Sequence, residues 1–169
     1  MRPLPTAPLL ASLCLLLAAA TPATASDDVI RHKTPGSNFP IAAAVEVPAG
    51  KTTVYVSGKV PTMVDASAPR DSVAAYGDTR TQTLSVLKVI EAQLKDLGLT
   101  MGDVVKMQVF LAGDPGNEGK MDFAGFMEAY SQFFGTEAQP NLPARSTMQV
   151  AALVNPGFLV EIEVTAVRP

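Results

Sequence analysis

Apolar residues recur along the chain in two rhythms, alternation with polar neighbours and spacing of three or four, and the changes between them predict the elements. Val54 and Val56 alternate with Thr53, Tyr55 and Ser57, so strands over 42–47 and 52–60 flank Pro48-Ala49-Gly50 as a hairpin. Pro69 and Gly77 mark 64–78 as a surface loop leading into a helix. Over 80–97, Leu84, Leu87, Ile90, Leu94 and Leu97 form one stripe while Lys88, Glu91, Lys95 and Asp96 stay wet. Thr79 and Gln82 suit a capping box at its start, and Gly98 suits its end. Alternation returns over 104–111, with Val105, Met107, Val109 and Leu111 opposite Lys106 and Gln108. Beyond the loop at 113–120, Phe123, Phe126, Met127, Tyr130, Phe133 and Phe134 mark a second core-facing helix up to Gly135. Pro140 and Pro143 force an extended link. Strands over 146–153 and 158–167 then close the domain as a hairpin around Val154-Asn155-Pro156-Gly157.

The order β-β-α-β-α-β-β, without repeat or long linker, predicts a single α/β (α+β) domain over 26–169: one sheet with two helices on one face. The other face carries Thr53, Tyr55, Val150 and Ala152, too neutral for open water, which predicts self-association. The polar stretch 27–36 lacks periodicity and reads as a mobile leader, with His32 exposed in it.

The beginning of the chain follows another logic. Arg2, the apolar run over 9–20 and Ala23-Thr24-Ala25 read as a secretory signal peptide over 1–25. The apolar run is about twelve residues, short of the roughly 20 a spanning helix needs. The expected location is periplasmic or secreted, with no membrane contact after cleavage. Removal of 1–25 takes away Cys14, the only cysteine, so the mature chain has no disulfide and no thiol nucleophile. One His and one Cys exclude a Cys/His metal cage, and no metal is expected. With 13 Lys and Arg against 16 Asp and Glu, and no basic run, nucleic acid is not an expected partner.

Several segments carry more specific information: Val54-Tyr55-Val56-Ser57-Gly58, Gly77-Asp78-Thr79-Arg80-Thr81-Gln82-Thr83, Asp103-Val104-Val105-Lys106, Pro143-Ala144-Arg145-Ser146-Thr147 and Val160-Glu161-Ile162-Glu163. In this order, from about Pro40 to Arg168, the chain resembles the Rid (RidA/YjgF) family of enamine and imine deaminases. The resemblance implies a chorismate-mutase-like protomer, a homotrimer with inward-facing sheets and clefts between subunits. It also implies hydrolysis of reactive 2-imino acids to 2-keto acids and ammonia, without cofactor. Arg145 then holds the substrate carboxylate and Glu161 positions the water or the substrate nitrogen. The backbone at Gly58 and Thr147 lines the cleft, while Ile41 and Met127 stand where the family usually has Tyr and Asn.

The chemistry is consistent with those residue types. A guanidinium holds a carboxylate through two parallel charge-assisted hydrogen bonds, and iminium hydrolysis, already fast in water, needs no covalent nucleophile. In a simple closing hairpin Glu161 lies opposite Val150, some five residues from Arg145, so a shared site requires a bulge or, more simply, an Arg from one subunit and a Glu from its neighbour. A non-catalytic periplasmic trimer that binds small carboxylates or regulates a partner remains the alternative. Ribonuclease action, a label used within the family, is disfavoured by the acidic balance and the lack of a His pair.

Overall fold

A computed structural model describes residues 28–169, so the signal-peptide expectation over 1–25 lies outside the described residues. Among the described residues the fold has two sheets and two α-helices: β1 (Ile30–His32), β2 (Ala44–Glu46), β3 (Thr53–Lys59), α1 (Thr79–Asp96), β4 (Val104–Ala112), α2 (Phe123–Tyr130), β5 (Ala144–Val150) and β6 (Val160–Val167). The main sheet has the order β3-β6-β4-β5, with β4 and β5 parallel and the β6 pairings antiparallel. Among the described residues no helix is long and apolar enough to cross a membrane.

The strands β2 to β6 fall in or beside the ranges read from the sequence, while β1 lies in the stretch read as a leader, and both expected hairpins are replaced. β2 pairs with β1 in a separate two-stranded sheet, and β3 pairs with β6. The turn at Asn155-Pro156-Gly157 does reverse the chain, yet its arms β5 and β6 straddle β4 instead of pairing. Physically, β4 decides this. Met107, Val109 and Leu111 are fully buried, and so apolar a strand belongs in the sheet interior with a neighbour on each side.

The core lies between the sheet and the helices. Val86, Leu87, Ile90 and Leu94 of α1 meet Met107, Val109, Leu111, Ile162 and Val164. The α1 stripe is therefore turned from the expected one: Thr83 and Val86 are buried, while Leu84 and Leu97 lie near its border. Asp78, not Thr79, caps the helix by accepting from the Thr81 N–H at 2.8 Å. That bond holds the Asp78 carboxyl below the usual carboxylate range, with burial opposing it. Gln82 belongs to no capping box. Fully buried, it donates to the Gly77 and Gly157 carbonyls at 2.8 and 3.0 Å and accepts from the Leu159 N–H at 2.7 Å. Gly98 ends the region at φ 71°, as its position predicts.

The helix α2 stops at Tyr130, short of the expected Gly135. Phe134 nevertheless stays buried, its ring stacked on Tyr130 at 4.9 Å. Asp122 caps α2 through the Gly125 N–H at 2.9 Å. Gly125 leaves room for that cap, since a Cβ there would collide with the Asp122 carboxylate. An Arg80–Glu128 ion pair at 3.2 Å joins the helices nearby.

The expected mobile leader is in part a built element. Arg31 on β1 donates to the carbonyls of Val104, Leu142 and Gly102 at 2.9, 2.7 and 2.8 Å. Burial lowers its pKa, and the nearby Asp103 partly restores it. His32 is exposed, as expected, and contacts Glu46 at 2.6 Å on the rim. Polarity concealed the element because its anchor is a cation aimed inward. Arg31→Ala is expected to cost about 2 to 3 kcal/mol, because three carbonyls lose a charged donor. Denaturant titration would show it as a lower midpoint at unchanged slope.

Candidate functional site

Arg145 sits second on β5, in register with the fully buried Met107, so its side chain turns toward the helix face of the sheet. There it meets an aromatic cage. The guanidinium carbon lies 4.2 Å from the Tyr130 ring centroid, 5.0 Å from Phe126, 5.5 Å from Phe39 and 5.9 Å from Phe123. Nη2 donates to the Met127 sulfur at 3.3 Å, and Nη1 is buried with no hydrogen-bond partner. Among the described residues no carboxylate pairs with Arg145. Rings over a cation contribute roughly 0.5 to 2 kcal/mol, and a thioether is a weak acceptor. Such a guanidinium is held in place but not neutralised.

Burial lowers the Arg145 pKa, an effect that Tyr130 opposes. The Tyr130 phenol is in turn pushed up to about 12 by burial, against the influence of the Arg145 charge. Tyr130 is therefore a neutral donor at any ordinary pH, and its hydroxyl binds the Pro40 carbonyl at 2.8 Å. That bond helps fix the 39–42 segment beside β5. Ala42 continues the attachment, its N–H donating to the Pro143 carbonyl at 3.0 Å and its backbone bridging Ala144 in parallel. The extended link through Pro143 thus delivers Arg145 to an already braced position.

The other expected residues fall into two groups. Ile41, half-buried in the braced segment, and Met127 belong with Arg145. So does Thr147, two residues along β5 on the same face, whose Oγ1 is buried without a partner. Gly58 and Glu161 form the second group. Gly58 lies where the β3–β6 register shifts between Val56 and Lys59, and the Glu161 carboxylate covers the place a Cβ would occupy there.

These groups do not meet within one protomer. Glu161 pairs with Phe110, and Phe110 with Met148, so Val150 is not opposite Glu161 as a simple hairpin requires. Arg145 is level with Met107, three rungs away from Phe110 and with β4 between the strands. Standard strand spacings put the two backbones roughly 14 Å apart. Their side chains also leave opposite faces, Arg145 with buried Met107 and Glu161 with half-buried Phe110.

Phe39, Phe123, Phe126 and Tyr130 are the site residues that sequence reasoning missed. The stripe on α2 is legible as a core-facing helix, but its spacing does not reveal that one edge of it faces a cation. Phe39, an isolated aromatic in a polar stretch, was the available signal. The open sheet face includes Tyr55, 80% exposed, and Met148, 39% exposed. It also presents a shallow depression among Ser57, Lys106, Gln108, Glu163 and Thr165.

Comparison with known proteins agrees with the fold and locates the chain among relatives. A model of the family described as Endoribonuclease L-PSP matches residues 36–168. A RutC family protein of Haemophilus influenzae is 34% identical over 138 residues, 81% of this chain and 93% of that protein. "Putative reactive intermediate deaminase TdcF" of Escherichia coli K12 is 33% identical over 137 residues, again 81% and 93%. The crystal structure of E. coli TdcF with bound serine matches with a TM-score of 0.54 and 32% identity, covering 83% of this chain and 98% of that one. A Yersinia pestis protein titled as YyfB of the conserved Rid protein family gives a TM-score of 0.61 at 26% identity, with the same coverage. Given a cage built on β5 and α2 and a family match across nearly all the described residues, the chain belongs to the Endoribonuclease L-PSP family, the Rid/YjgF family of its relatives.

Proposed function

We propose that the protein hydrolyses 2-imino acids and their enamine tautomers to 2-keto acids and ammonium. The observation that carries this reading is the half-buried Arg145, which among the described residues has no acid partner and an unpartnered Nη1. Buried charge without a counter-ion is costly, and a substrate carboxylate supplies one. It displaces the Met127 sulfur from Nη2, and the fork geometry offers the second oxygen a further N–H. Water adds to the electrophilic carbon of R–C(=NH2+)–COO−. Transfer of the water's protons to nitrogen and cleavage of the C–N bond then give R–CO–COO− and NH4+. Glu161 holds the water and passes a proton, a role a single carboxylate can fill.

Because Arg145 and Glu161 occupy opposite faces, the reading needs Arg145 from one protomer and Glu161 from a neighbour. A homotrimer joined through its open sheet faces provides that seam and covers Tyr55 and Met148. The relatives named as a deaminase and as binding serine support a small amino-acid-like substrate. The endoribonuclease description of the family finds less support in a chain of formal net charge −3 with a single His. The leader pattern over 1–25 supports action outside the cytoplasm.

An amino-acid oxidase that generates imines, with semicarbazide to trap them, tests the reading directly: added protein should lower the yield of semicarbazone. An unchanged yield would overturn it and favour the non-catalytic carboxylate-binding trimer. Gly58→Ala supplies an independent check. Only the mobile end of Glu161 must shift, so the melting temperature should hold while kcat/KM falls tenfold or more.

A further inference from the structure

Resting on that reading, we infer that the site prefers 2-imino acids with large apolar side chains, aromatic ones above all, and that Phe39 determines this preference. The Phe39 ring lies 5.5 Å from the guanidinium carbon of Arg145 and stacks on Phe123 at 6.4 Å with 22° between planes. It is nevertheless 44% exposed, unlike the buried Phe126 and Tyr130 that complete the cage. One side of the ring thus packs against the cage while the rest stays open beside the anion anchor.

This exposed ring is not a loose end. Its own N–H binds the Ser37 hydroxyl at 3.2 Å, and its carbonyl accepts from the Ile41 N–H at 2.8 Å. Tyr130 holds the Pro40 carbonyl next to it. On its own protomer the less buried rim of the guanidinium is made of Phe39, Phe123 and the Met127 thioether, while the depression that Phe39 shares with Ile41 is lined also by Lys33, Thr34, Ser37 and Asn38. The Thr147 hydroxyl, the nearest polar group on the same strand face, is buried. A substrate hydroxyl or amide finds no partner among Phe39, Phe123 and Met127, whereas a phenyl ring gains an offset-stacked or edge contact there. Pocket hydrophobicity of this kind discriminates by about ten- to two-hundredfold per group.

The test compares imines made by an oxidase from phenylalanine, leucine and alanine. Expected is a kcat/KM for the phenylalanine imine at least tenfold above that for the alanine imine, with leucine between. In Phe39→Ala the ratio should fall to about threefold or less, and Phe39→Leu should keep the leucine imine while losing the phenylalanine advantage. Thermal protection provides a readout without turnover: phenylpyruvate should raise the melting temperature more than pyruvate at equal concentration, and Phe39→Ala should abolish the difference. Equal or better hydrolysis of the alanine imine overturns the preference and leaves the deaminase reading intact. If no imine is hydrolysed, the deaminase reading fails, and the keto-acid comparison alone then decides the preference: equal protection overturns it.

Discussion

Arg145→Ala is expected to lower kcat/KM for the proposed imine hydrolysis by a hundredfold or more, equivalent to about 2.7 kcal/mol of transition-state stabilisation. The magnitude follows from losing a charge-assisted pair in a partly desolvated setting, where each bond contributes roughly 1.5 to 3 kcal/mol. Arg145→Lys should recover only part of it, because an ammonium lacks the planar fork and the fit against the rings around it. Stability should change little in either variant, since the lost ring contacts are offset by relief of an unpaired buried charge. Circular dichroism and melting curves check that point. Mixing gives a sharper result. Arg145→Ala and Glu161→Gln protomers, each inactive alone, should regain activity when refolded together, because some seams then join an intact Arg145 to an intact Glu161. No recovery in a mixed assembly would show that one protomer supplies both groups.

The largest effect on stability is expected at Gln82. Gln82→Leu leaves two carbonyls and one N–H without partners in a fully buried place, at about 3 kcal/mol or more. Gln82→Glu is the informative companion. At neutral pH its carboxylate faces the Gly77 and Gly157 carbonyl oxygens, so the introduced group has a pKa raised in the fold above its unfolded value of about 4.3. A raised acid favours the neutral form in the native state. Stability is therefore lost as pH rises through the folded pKa and returns on acidification, until the unfolded pKa is passed. Urea midpoints at pH 7 and pH 5 measure this. The variant should gain relative to wild type at the lower pH, and a constant gap would mean that the carboxyl escapes to water.

Local patterns foretold the elements better than their partners. Alternation in 104–111 marks β4 correctly, because period two depends only on the strand itself, and the run after the turn at 154–157 marks β6. That β6 leaves β5 and enters between β3 and β4 depends on which strand most needs two neighbours, a comparison no single window contains. Arg31 shows the same limit at the scale of one side chain: its partners are carbonyls at 102, 104 and 142, far along the chain. At the candidate site, the motif around Arg145 singled out the residue that the structure surrounds with rings, and the α2 spacing identified a packed face. Their meeting, with Phe39 as a third party, is a tertiary event and was not legible.

The placement of β6 has a consequence for synthesis. Until residues 160–167 have left the ribosome, β3 has no partner in the main sheet and β4 lacks one of its two ladders. The nascent chain therefore cannot collapse progressively from its N-terminal side, and closure waits for the last strand of the sheet to be inserted into its middle.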